Sequence, residues 1–103
     1  MILTAIFTAK TGKRDELAGY LHSGARESRK EPGVKFYLIN DVEDSPNSFM
    51  NIEVYESEEA FQAHLKEPYV VELLSKLNDL LEVPLVIYKG LEKFNNEGPK
   101  SAL

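Results

Sequence analysis

His64 and Glu53 are the side chains of this sequence best suited to moving a proton, and both fall on patterned segments. His64 follows Phe61 by three residues and Ala60 by four, so in a helix the three share a face turned toward whatever that face packs on. An imidazole changes charge at about pH 6.5, which suits a general base at neutral pH. A half-buried histidine held by a carboxylate for stability alone is the competing reading, and spacing does not separate the two. Glu53 alternates with Asn51 and Tyr55, which places all three on one face of a strand. If that face looks toward the helices, the carboxylate must be paired or protonated. It could orient His64 or accept a substrate hydroxyl, or it could form an ion pair with a basic residue of the first helix. Tyr37 could stack on a flat ligand or fill the core. Asn51 is a candidate anchor, and Tyr69 a candidate lid or hydrogen-bond donor.

The elements that must hold these residues are legible from periodicity. Residues 2–9 put Leu3, Ala5, Phe7 and Ala9 on one face and Ile2, Thr4, Ile6 and Thr8 on the other, the pattern of a central strand. After Thr11-Gly12, Asp15 and Glu16 suit a helix's first turn, and Leu17, Tyr20, Leu21, Gly24 and Ala25 form its apolar stripe. Gly24 and Ala25 are small enough to let that helix approach a sheet closely. Glu31-Pro32-Gly33 ends it, and Arg26 to Glu31 reads as a solvated, mixed-charge helix end. His22 falls off the stripe and is expected at the surface.

Residues 34–42 and 48–56 read as a hairpin with a turn at Asp44-Ser45-Pro46-Asn47. On its second strand Met50, Ile52 and Val54 face opposite to Asn51, Glu53 and Tyr55. Ser57 is a natural N-cap, followed by Glu58 and Glu59 in the first turn. Pro68 interrupts this helix and starts another, whose Val70, Leu73, Leu74, Leu77 and Leu81 recur at helical spacing. Residues 83–94 hold a last strand, placed at a sheet edge by Pro84, and residues 95–103 form a polar tail. The domain is therefore 1–94.

Composition narrows the function by exclusion. A chain of 103 residues is one domain, and a 43 % apolar, 28 % charged composition is that of a soluble globular protein. The absence of cysteine removes disulfides, thiolate nucleophiles and Cys-based metal sites, and two histidines are too few for a His-rich metal cluster. A net charge of −5 offers no basic surplus for nucleic acid or an anionic membrane. Neither a signal peptide nor a membrane-spanning run is expected, which points to the cytoplasm.

The order β-α-β-β-α-β, with the second helix broken by proline, is the α+β, ferredoxin-like plait. Its helices cover one face of a four-stranded sheet. Ile2, Ile6, Met50, Ile52 and Val54 would make the other face apolar and bare, so a homodimer packed sheet against sheet is expected.

Glu31-Pro32-Gly33-Val34, the aromatic-rich strand after it, Asn51-Ile52-Glu53-Val54-Tyr55-Glu56-Ser57, Ala63-His64-Leu65 and Pro68 together resemble the antibiotic biosynthesis monooxygenase (ABM) family over residues 1–94. The resemblance implies a dimeric α+β barrel. The family holds cofactor-independent monooxygenases of quinols and aromatic polyketides, haem-degrading enzymes and a sugar-phosphate isomerase. Haem-degrading members carry an asparagine, a tryptophan and a proximal histidine where this chain has Phe7, His64 and Leu74, which argues against haem. Tyr55 also stands where tryptophan is common in the family, and Tyr69 where a histidine follows the proline.

The function expected from the resemblance is oxidation of a phenolic or quinol-like compound by O2 without cofactor or metal. His64 and Glu53 would be catalytic, with Asn51, Tyr55, Tyr37, Tyr69 and Phe7 binding the substrate. A proton-transfer isomerase of a small hydroxy-ketone, or a ligand-binding dimer without catalysis, are the alternatives.

Overall fold

The computed structural model describes residues 1–91 and 96–101. Seven elements follow one another: β1 (Ile2–Thr8), α1 (Arg14–Ser28), β2 (Val34–Val42), β3 (Ser45–Tyr55), α2 (Glu58–Leu65), α3 (Pro68–Leu80) and β4 (Val86–Gly90). The strands form one antiparallel sheet in the order β2-β3-β1-β4, the plait topology that the element order predicts.

Strand register divides the sheet into two unlike faces. Under the helices, cross-strand rows run Lys89-Leu3-Glu53-Tyr37 and Ile87-Ala5-Asn51-Ile39, with the Phe7-Phe49 pair beyond them. The opposite face carries Gly90-Ile2-Val54-Phe36, Tyr88-Thr4-Ile52-Leu38 and Val86-Ile6-Met50-Asn40. On that open face Phe36 is 46 %, Leu38 47 % and Tyr88 64 % exposed, so three large apolar or aromatic side chains meet solvent in one protomer.

The layer between helices and sheet is itself split. At one end Phe7, Phe49, Leu17, Leu21, Leu73 and Leu80 form an apolar core. At the other, the helix-side residues of β3 change from Phe49 to Asn51, Glu53 and Tyr55, and the filling becomes polar.

Several local expectations are corrected. The hairpin turns more tightly than Asp44-Ser45-Pro46-Asn47 suggests. Asp44 takes a positive φ of 63° and β3 already begins at Ser45, since aspartate tolerates the left-handed region that a short hairpin demands. Pro46 sits inside that strand, exposed and at the register shift between the Asp41-Phe49 and Val42-Ser45 pairs, where the ladder asks no amide donor of it; its carbonyl accepts from Arg14 Nε. Gly24 makes no close approach, and a Cβ there would meet open space; Ala25 is the fully buried member of the pair. In α3 the inward residues are Val70, Leu73 and Leu80, while Leu74 is 45 % exposed. Leu81 has left the helix and bridges Ala9. The last strand starts at Val86, later than residue 83, and runs to Gly90; its expected end at 92–94 lies outside the described residues. Of the polar tail, residues 96–101 are described, and Asn96 and Ser101 border a cavity of about 540 Å³ beside Ile2 and Val54. His22 is exposed, as its place off the stripe implies.

Candidate active site

Three contacts set the polar end of the layer. The Ser57 side chain accepts from the Ala60 amide at 3.1 Å and starts α2, with Glu58 and Glu59 at the positive end of the helix dipole. Gly33, in the connection from α1 to β2, lies so close to α2 that a Cβ there would be 2.5 Å from Ala60 Cβ. Lys89 of β4 reaches Glu58 at 2.5 Å and passes 5.3 Å from the Phe61 ring, tying the start of α2 to the sheet edge.

His64, one turn beyond Ala60, is 4 % exposed. Its ring centroid lies 5.4 Å from Tyr55, 5.7 Å from Tyr37 and 6.3 Å from Tyr69, so three phenols surround one imidazole. Its Nδ1 is 2.9 Å from Glu31 Oε2. The same carboxylate oxygen accepts from the Tyr69 hydroxyl. Glu31 is the residue that sequence reading missed: counted among the solvated charges of the helix end, its side chain is only 13 % exposed. Thirty-three positions separate it from His64, and no local pattern announces a pairing across that distance. The Pro-Gly turn that follows it was the available signal, because it returns the chain to the sheet end where Tyr37 and Glu53 sit.

Glu53 is 5 % exposed and accepts a 2.5 Å hydrogen bond from the Tyr55 hydroxyl. Burial pushes its carboxyl above the ordinary range, against the Tyr55 hydrogen bond and the nearby His64, which both favour the charged form. The alternative for Glu53, an ion pair with a basic residue of the first helix, does not form among the described residues: Arg29 Nε donates to the Tyr37 carbonyl, and Lys30 pairs with Glu27. Burial, and then the charge of Glu53, raise Tyr37 and Tyr55. Burial and the Glu31 hydrogen bond raise Tyr69. All three phenols are therefore protonated donors at neutral pH.

Asn51 is fully buried, and its Nδ2 reaches the Tyr37 hydroxyl at 3.5 Å. Its Oδ1 is buried and has no hydrogen-bond partner, an unused acceptor in this polar layer. The structure thus brings His64, Glu53, Asn51, Tyr55, Tyr37 and Tyr69 into one group. Phe7 is placed apart from it, in the apolar core at 4 % exposure. Among the described residues no three His, Asp or Glu side chains gather closely enough to hold a metal ion.

Residues 1–74, which include every member of the group, match the family model of the antibiotic biosynthesis monooxygenases. The chain belongs to this family. Among ABM-like solved structures, a Nitrosomonas europaea protein named as a candidate antibiotic biosynthesis monooxygenase superposes with a TM-score of 0.77 at 25 % identity, covering 89 % of this chain and all of that one. Protein SO0527 of Shewanella oneidensis gives 0.78 at 25 % identity over 84 % of this chain and 86 % of its own. Rv0793 of Mycobacterium tuberculosis gives 0.80 at 21 % identity, over 91 % and 97 % of the two chains, and so shares the fold. The uncharacterised protein sll1783 of Synechocystis is 31 % identical over 94 residues, 89 % of this chain. This chain spans 64 % of the length of that relative. No helix among the described residues is long and apolar enough to cross a membrane.

Proposed function

We propose that this ABM protein is a homodimeric, cytoplasmic monooxygenase that oxidises a phenolic or quinol-like compound with O2 and without a cofactor. Family membership supports a monooxygenase-type activity in general, and the polar layer supports the substrate class. The observation that carries the reading is a buried imidazole ringed by three protonated phenols, one of which also meets Asn51, whose amide oxygen is unpaired.

In this reading a substrate hydroxyl gives its proton to His64. The arenolate transfers one electron to O2, and the resulting aryloxyl and superoxide combine into a ring carbon–oxygen bond. His64 returns its proton to the peroxide. Cleavage of the O–O bond, with loss of the ring hydrogen as a proton, releases water and leaves a quinone carbonyl. One oxygen atom enters the product, the other becomes water, and all four electrons come from the substrate. Glu53 and Asn51 Oδ1 hold the substrate hydroxyls, and Tyr37, Tyr55 and Tyr69 wall the ring. Excluding water keeps the arenolate reactive toward O2.

A second copy is the natural cover for the open sheet face, whose Ile2, Phe36, Leu38, Val86 and Tyr88 are all more than a third exposed in one protomer. Oxygen uptake with a panel of hydroquinones and dihydroxynaphthalenes tests the function. Uptake that is lost in a folded His64→Ala variant is the expected result. Oxygen-independent proton exchange on a hydroxy-ketone would favour an isomerase, and tight binding without turnover a ligand-binding dimer.

A further inference from the structure

We infer that Glu31 is a positioning residue for His64: its carboxylate fixes which ring nitrogen carries the proton, and Tyr69 holds that carboxylate in place. An ionised carboxylate only accepts hydrogen bonds, so Nδ1 at 2.9 Å from Oε2 must be the protonated nitrogen. Nε2 is then left with its lone pair free, as a base requires. Were the proton on Nε2, two acceptors would face each other in a buried contact.

The backbone makes this contact a fixed feature of the fold. The Glu31 amide donates to the Ser28 carbonyl at 3.0 Å, and the Glu31 carbonyl accepts from Val34 at 3.1 Å, so the residue is tied on both sides. Gly33 is pressed against Ala60, and His64 stands one helical turn further along the same face of α2. One segment of loop therefore meets one face of helix at two points, Gly33 on Ala60 and Glu31 on His64. The Tyr69 hydroxyl, delivered from the first turn of α3, is the second donor on the same oxygen. With the His64 side chain 5 % and the Glu31 side chain 13 % exposed, solvent weakens the pair little.

This role rests on His64 acting as the base, and its test can be read without any substrate. In protein carrying 15N-labelled histidine, at a pH where the ring is neutral, His64 is expected to show the Nδ1–H tautomer. Glu31→Ala, which removes the acceptor, should move the ring toward the Nε2–H form. Glu31→Asp, which retains the carboxylate, and Glu31→Gln, whose amide oxygen can still accept from Nδ1, should preserve the wild-type pattern at least in part. Tyr69→Phe should lower the Nδ1–H fraction part-way, because the carboxylate loses the donor that holds it; an unchanged fraction removes Tyr69 from the proposal. In turnover, Glu31→Ala should lower kcat by about 10- to 100-fold, less than loss of the general base itself, with KM little changed. A wild-type ring found as Nε2–H, or an Nδ1–H ring that persists in Glu31→Ala, overturns the proposal whatever the activity. Failure of every panel compound to consume O2 counts against the monooxygenase reading alone.

Discussion

Glu53 shows what a buried carboxylate costs and how it is kept. Its pKa is raised in the fold, so its favourable contribution to stability is complete below the ordinary value of 4.5 and is lost as pH climbs through the raised one. Glu53→Gln removes that titration, so its melting temperature should fall less than that of the wild type between acid and mildly alkaline pH. Parallel curves for the two proteins would show that Glu53 titrates normally. Tyr55 supplies the hydrogen bond that makes the carboxylate tolerable. Tyr55→Phe should destabilise the protein by about 1–3 kcal/mol at neutral pH in chemical denaturation, the usual cost of leaving a buried polar group short of a partner. At this scale the sequence was informative about side chains sharing an element: Asn51, Glu53 and Tyr55 alternate, and His64 follows Ala60 and Phe61. It was uninformative about Glu31, because that pairing is made by the path of the connection and not by any repeat.

Among the elements, the α1–β2 connection and α2 meet in a close contact. Gly33→Ala places a methyl 2.5 Å from Ala60 Cβ, and neither group can rotate away. The substitution should cost about 1–3 kcal/mol by overpacking, and Ala60→Gly in the same chain should recover part of the loss despite glycine's lower helix propensity. A double-mutant cycle of denaturation midpoints checks this; purely additive effects would mean that the two residues do not touch. Element types and order were legible because period-2 and period-3.6 patterns alternate cleanly. Ends were less so. Asp44 absorbs the positive φ of the turn alone, which lets Ser45 and Pro46 join β3 although their composition reads as loop. Leu74 fits the α3 repeat by spacing, yet it lies on the solvent side, because the inward stripe rotates through Leu73 and Leu80 instead.

For the whole molecule, the proposed dimer rests on the unlikeness of the sheet's two faces. Their alternation was readable residue by residue, whereas the proposed cover of the open one, a second copy, is announced by no pattern within one chain. Leu38 ends its row on the edge strand β2, beside Ile52, and is 47 % exposed. Leu38→Glu should convert a sedimenting dimer into a monomer while leaving helix content unchanged, since its side chain points away from the helical layer. A wild-type protein that sediments as a monomer at micromolar concentration would remove the dimer from this account.

The central claim is that His64, buried among three phenols, takes the proton that makes the substrate reactive toward O2. Its most direct test is the absorption spectrum of a hydroxynaphthalene bound under strict anaerobiosis. The wild type should show the red-shifted band of the arenolate at a pH where the free compound is neutral, and His64→Ala should bind the compound without that band. An arenolate band of equal strength in both proteins would contradict the claim.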